Sequence, residues 1–205
     1  ELFKNSGFEI SKVEKDIEFI KDLPVLTKDI VREREKDLRL PNAKHKRKTG
    51  GSTGQSVVFS YDDFGLDWTA AINVMAYEMA GCFASRKSVH ISSELGIGPK
   101  TIKSKIIDFM KLSSQNRKRL MINSFSDSDL AETFKHFKSY RPYLLQGHPS
   151  TAYALAEFVK KHNKQKIKYC SVFEPSGEML NDKMVESIEE NLKCKVVNRY
   201  GNAEF

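Results

Sequence analysis

The chain contains no run approaching about 18 consecutive apolar residues, which excludes a membrane-spanning helix. Its first residues, ELFKNSGFEISK, lack the basic-then-apolar layout of a secretory signal and carry no initiator Met. With a last residue, Phe205, that follows directly on a motif described below, both ends read as cut, and the chain is expected to be a fragment of a longer protein. Cysteine is scarce: Cys82, Cys170 and Cys194 are odd in number and far apart, which is no disulfide framework and suits a reducing cytoplasm. None of the five histidines stands at a zinc-finger spacing from a cysteine. No internal repeat or low-complexity tract occurs, and a content of 40% hydrophobic and 30% charged residues is too apolar for a disordered chain.

What is present is an excess of positive charge. The net charge is +7, with a local peak at Lys44, His45, Lys46, Arg47 and Lys48. Such a balance suits phosphate-bearing ligands, nucleic acid or an anionic surface. The plainer reading of the run is a solvated loop or edge strand. A nucleic-acid patch calls for interleaved aromatic rings, and none interleave here, so nucleic acid is not the expected partner.

Apolar spacing orders the rest. Ser11 to Lys21 reads as a helix, opened by a capping box of Ser11 and Glu14, with Val13, Ile17 and Ile20 on one face. Pro24 stops it, and Thr27 is placed to cap a short charged helix running to Asp37. Residues 1–41 form a helical preamble on this reading, and 42–205 an α/β nucleotide-binding domain. Val57 to Phe59 reads as a strand. Asp62 caps a long helix whose stripe of Phe64, Trp68, Ile72, Met75 and Met79 is expected to pack in a core, and Gly81 ends it. Strands at 88–91, 120–122, 143–145, 168–173 and 196–199 then alternate with amphipathic helices. Their inward residues are Ile102, Ile106, Phe109 and Met110; Leu130, Phe134 and Phe137; and Met184, Val185, Ile188 and Leu192. Short strands separated by helices predict βαβ units and a mostly parallel sheet covered by helices on both faces. Ligands of such sheets sit beyond the carboxyl ends of the strands. That rule selects three glycine-bearing exits: Gln146 to Ser150, Glu174 to Glu178, and Gly201 to Glu204.

Two motifs carry chemistry. Thr49-Gly50-Gly51-Ser52-Thr53-Gly54 combines glycines, which let several N–H groups face one concavity, with three hydroxyls. It is not a Walker loop, since no Gly-Lys-Ser/Thr follows. Read alone it is equally a flexible loop. Tyr200-Gly201-Asn202-Ala203-Glu204 sets an aromatic ring, a glycine and a carboxylate at the end of a strand. A ring can stack on a purine, and a carboxylate can hold Mg²⁺ beside phosphate oxygens. Read alone it is more simply a strand-to-turn exit with a solvated Glu.

Taken together, the motifs resemble those of the adenylate-forming (acyl-CoA synthetase, AMP-binding) superfamily. TGGSTG is similar to its hydroxyl- and glycine-rich phosphate loop, and YGNAE to its Tyr-Gly-x-Thr-Glu motif. LPVLTKDI at 23–30, LLQGHPSTAYALAEF and SGEML at 176–180 resemble segments of the branch that holds phenylacetate–CoA ligase and CapK-type proteins of capsular polysaccharide biosynthesis. The resemblance runs from residue 23 to 205. It implies part of the large N-terminal domain of an ATP-dependent ligase that joins a small carboxylic acid to AMP, with coenzyme A as acceptor.

By position, the resemblance implies that Thr49, Gly50, Gly51, Ser52, Thr53 and Gly54 grip the β- and γ-phosphates of ATP. Ser176, Gly177 and Glu178 wall the adenine. Tyr200 stacks on it beside Gly201 and Asn202, and Glu204 binds Mg²⁺. Glu204 and Thr53 are the catalytic candidates, and His148 lines the acyl pocket. The ribose-binding Asp and the adenylation Lys of the family fall beyond the chain, so the chain alone is expected to have little ligase activity. Ala203 stands where the family has Thr, and Ser56 and Val57 where it often has Pro and Lys. These departures keep open a non-catalytic module that retained the fold; a basic nucleic-acid-binding domain is the third reading.

Overall fold

The computed structural model describes residues 11, 15–22, 25–49, 56–83, 86–93, 101–164, 168–199 and 201. The chain divides into two compact units, residues 1–66 and 67–203.

In the first unit, Ile17–Asp22 is a 3-10 helix. Thr27 caps helix α1 (Lys28–Glu33), its Oγ1 accepting from the Ile30 N–H at 3.3 Å. The expected run to Asp37 is interrupted at Arg34, after which α2 (Glu35–Leu38) forms a single turn. Strands β1 (His45–Lys48) and β2 (Val58–Tyr61) pair antiparallel, His45 opposite Tyr61 and Lys48 opposite Val58. The basic run is thus largely an edge strand. Lys44 and His45 reach Asp63 at 3.3 and 2.8 Å, and these two neighbours hold the Asp63 carboxyl below its ordinary range.

The second unit holds most of α3 (Asp63–Met79) and then alternates β3 (Ser88–Ser93), α4 (Ile102–Ser114), β4 (Arg117–Ile122), α5 (Asp127–Tyr140), β5 (Leu144–Gly147), α6 (Pro149–Lys161), β6 (Val172–Pro175), α7 (Asp182–Leu192) and β7 (Lys195–Val196). The five strands form one parallel sheet in the order β4-β3-β5-β6-β7. Ser126 and Asn181 cap α5 and α7 through their side chains, as short polar residues do at helix starts.

One sheet face carries Val89, Ile91, Leu120, Ile122, Leu145 and Phe173, packed with Leu130, Phe134 and Phe137 of α5, Leu155 and Val159 of α6, and Ile188 and Leu192 of α7. Of these, Leu130, Phe134, Phe137, Ile188 and Leu192 are residues that the sequence spacing selects. The opposite face meets the end of α3: Leu144 and Val172 cluster with Cys82, Tyr77 and Ala80. The chain steps from β3 to β4 in one direction and from β4 through β5 and β6 to β7 in the other. With right-handed crossovers, α4 lies on the face opposite α5, α6 and α7.

The stripes on α3 and α4 do not behave as expected. Phe64 is 75% exposed and Phe109 71%, and Trp68, Ile72, Met75, Met79, Ile102, Ile106 and Met110 are exposed as well. Periodicity identifies an apolar face; it does not supply the element that covers it. The three cysteines are buried and free. No helix among the described residues is long and apolar enough to cross a membrane.

Candidate functional site

Strand order reverses at β3: its crossover leads to β4 on one side, while β5, its other neighbour, leads away through β6. The crevice between the exits of two such strands is where open α/β sheets bind ligands. His148 occupies the exit of β5, as the N-cap of α6. Gly147, just before it, lies so close to β3 that a Cβ there would come within 2.9 Å of the Ile91 carbonyl oxygen.

The structure brings His148 together with the predicted adenine-wall segment. Ser176 N–H donates to the Gly147 carbonyl at 3.0 Å, joining the exits of β5 and β6. Gly177 has φ +78°, a conformation costly for any residue with a Cβ, and a Cβ there would stand 2.7 Å from His148 Cε1. Glu178 Oε2 accepts from the Ser150 N–H at 3.1 Å. It supplies the anionic cap of α6 that the His148 side chain does not make. Glu178 Oε1 lies 3.6 Å from His148 Nδ1, an atom shielded from solvent and without a hydrogen-bond partner among the described residues. The β5 and β6 exits thus bring together an imidazole packed on a glycine, a carboxylate and a helix N-terminus. An aromatic base with donors and acceptors on its rim fits that chemistry.

Thr49 belongs to the other compact unit. Its N–H donates to the Val57 carbonyl at 2.9 Å and its Oγ1 accepts from Val57 N–H at 3.0 Å. These two bonds close the base of the connection between β1 and β2, the segment that contains the Gly/Ser/Thr motif. A groove of about 570 Å³ beside that base is lined by Arg32, Lys46 and Lys48 with Glu35, Ser56 and Val58. Gly50, Gly51, Ser52, Thr53, Gly54, Tyr200, Asn202 and Glu204 lie outside the described residues. Gly201 is exposed, and a Cβ there would meet nothing within 4 Å. Among the described residues no group of three His, Cys, Asp or Glu side chains could hold a metal.

Below the strand exits runs a row of polar side chains that the sequence reading did not single out. Arg119, His90, Gln146 and Glu174 are neighbours in register across β4, β3, β5 and β6. Arg117 donates to Gln146 Oε1 at 2.7 Å, and Gln146 Nε2 donates to Glu174 Oε2 at 3.2 Å. Arg199 Nε lies 2.7 Å from Glu174 Oε1, and Arg199 Nη1 donates to Asn73 Oδ1 at 2.9 Å. The signal was available: Gln146 and Glu174 interrupt otherwise apolar strands of a covered sheet, where a polar residue needs a partner. Both had been assigned to strand exits, whereas they lie within β5 and β6.

His90 sits in the same row. Burial first, then the charges of Arg117 and Arg119 and the nearby His148 ring, hold its imidazole down from 6.5 to about 4. Between these values the unfolded chain binds a proton that the folded chain does not. This contribution to stability is therefore complete above pH 6.5 and is lost as pH falls towards 4. In the full-length protein, His90→Gln is expected to flatten the fall of the thermal unfolding midpoint across that interval. An unchanged slope would assign the acid sensitivity to other groups.

The five-stranded parallel sheet with flanking helices is the fold of the N-terminal domain of adenylate-forming enzymes. No family model matches it. It is 25% identical to Protein CapK of Staphylococcus aureus over 208 aligned positions, which cover 100% of this chain and 45% of that protein. Among solved structures it resembles 2-hydroxyisobutyryl-CoA ligase. The match to the postadenylation state in complex with 2-HIB-AMP has a TM-score of 0.64 at 20% identity, covering 99% of this chain and 44% of that one. The match to an open conformation in complex with 2-HIB-AMP and CoA has a TM-score of 0.62 at 20% identity, covering 96% and 44%. The chain thus spans a little under half the length of each.

Proposed function

We propose that the chain is the N-terminal, nucleotide-binding part of an ATP-dependent ligase that activates a small carboxylic acid as its adenylate and passes the acyl group to coenzyme A. The observation that supports this best is the meeting of His148 with Gly177 and Glu178 at the exits of β5 and β6, beside the point where strand order reverses. There the resemblance calls for an adenine wall beside an acyl pocket. The likeness to CapK along the whole chain adds to it, and a role in capsular polysaccharide biosynthesis follows from that branch.

In such a reaction the substrate carboxylate attacks the α-phosphorus of ATP, the bond to the β-phosphate oxygen breaks, and pyrophosphate leaves. A thiol then displaces AMP from the acyl carbon. The protein's share is positioning and charge neutralisation. Residues 49–54 hold the departing pyrophosphate, with Thr53 donating to it. Ser176, Gly177 and Glu178 bound the base, Tyr200 stacks on it, and Gly201 and Asn202 let the main chain approach. His148 stands between the adenine wall and the acyl group. Mg²⁺ would be held by Glu204 and the nucleotide's own phosphate oxygens, since this ion keeps few protein carboxylates, and it would offset the leaving group's charge.

The test is a pyrophosphate-release screen of the full-length protein against a panel of carboxylic acids, aromatic acids included. ATP-dependent release with one chemical class, followed by thioester formation with coenzyme A, is the expected result. Ala203, where the family has a hydroxyl, supports a second reading: a module that binds nucleotide without turning it over. Calorimetric ATP binding with no release for any acid is the result that reading expects. Absence of both binding and release would contradict both.

A further inference from the structure

The sheet places a charged pair where stability alone does not call for one. Glu174 is 3% exposed, and Leu144 and Val172, two residues below Gln146 and Glu174 on the same face, are apolar and buried. An apolar side chain at 174 would continue that packing. A buried ion pair is seldom worth more to stability than a well-packed apolar replacement, although removing one partner alone is damaging. The position of the pair carries more information. Gln146 is two residues before His148, Glu174 two before Ser176, and Arg199 one before Tyr200. Gln146 and Glu174 therefore lie immediately inside two of the strand exits that the proposed nucleotide site draws on, and Arg199 lies three residues past the end of β7, directly before the third. The network spans those exits: Gln146 to Glu174 at 3.2 Å, Glu174 to Arg199 at 2.7 Å. It is tied outward at both ends, to Arg117 of β4 at 2.7 Å and to Asn73 of α3 at 2.9 Å. Asn73 is itself fixed by donating to the Thr69 carbonyl at 2.8 Å.

We propose that Glu174 and Arg199 are positioning residues that clamp the exits of β5, β6 and β7 to one another and so fix the walls of the nucleotide site. This rests on the ligase reading above. Neither residue need touch the nucleotide. Arg199 is suited to the role because its planar fork engages Glu174 and Asn73 through different nitrogens, which a lysine ammonium would not reproduce in the same geometry.

The test uses the full-length protein, with AMP affinity measured by calorimetry and unfolding midpoints measured without ligand. Glu174→Gln, which strands Arg199, is expected to lower both. The double variant Glu174→Leu/Arg199→Met removes both charges together and is expected to recover the midpoint while AMP binding stays about tenfold weaker, the scale on which small misplacements of site groups act. Asn73→Ala, at the outer end of the network on a part-buried helix surface, is expected to weaken AMP binding several-fold at an unchanged midpoint. It decides the question alone if the double variant does not fold. Affinity that recovers with stability in the double variant, or wild-type affinity in Asn73→Ala, would overturn the clamp while leaving the ligase reading intact. Absence of AMP binding by the wild-type protein would overturn both.

Discussion

Gly177→Ala in the full-length protein is expected to weaken nucleotide binding by about tenfold or more, because groups displaced within a site lose their productive geometry quickly. Two costs combine at this position. The backbone sits at φ +78°, where a side chain costs about 1–2 kcal/mol of folding stability. The added methyl would also stand 2.7 Å from His148 Cε1, well inside contact distance, so the imidazole must turn away. That movement takes Nδ1 from its place 3.6 Å from Glu178 and disrupts the wall proposed for the base. The two costs separate in a double-mutant cycle. In a His148→Ala background the steric part of the stability loss should vanish and the backbone part remain, whereas nucleotide affinity should not return. Wild-type affinity in Gly177→Ala would remove the β6 exit from the site.

Glu204→Gln in the full-length protein is expected to lower adenylation by about 10²-fold or more, the typical worth of one preorganised electrostatic contact at a reacting centre. The substitution keeps the shape, exchanges one acceptor oxygen for an amide donor and removes the charge. The loss should therefore fall on pyrophosphate release rather than on folding. It should be partly offset by raising the Mg²⁺ concentration, since the resemblance assigns this carboxylate to the metal. An unchanged rate at limiting Mg²⁺ would take Glu204 out of the reaction.

Much of the fold was legible because its forces act locally. On α5 and α7 the 3.6-residue period selects Leu130, Phe134, Phe137, Met184, Val185, Ile188 and Leu192; Met184 and Val185 are half-buried and the others are buried. Alternation of short strands with these helices implies a parallel sheet without any knowledge of strand order. The same period on α3 and α4 selects residues that stand exposed. A helix records that it has an apolar face, not what covers it.

The site was partly legible for a related reason. Glycine-bearing strand exits can be found from sequence, and Gly177 and His148 were found that way. Their meeting depends on β5 and β6 being neighbours in register, Gly147 opposite Pro175, which no local pattern encodes. The Glu174–Arg199 pair shows the limit most clearly. Its members are 25 positions apart in the chain, and only the pairing of β6 with β7 brings them within 2.7 Å.

The account turns on a nucleotide binding at the carboxyl rim of the sheet, against the exits of β5 and β6. The most direct measurement is photolabelling of the full-length protein with an azido-adenosine monophosphate, with the labelled peptides mapped and unmodified AMP as competitor. The account predicts competitor-sensitive label within the peptides that carry residues 146–150, 176–178 or 200–202. Label confined to other peptides, or insensitive to AMP, would contradict it.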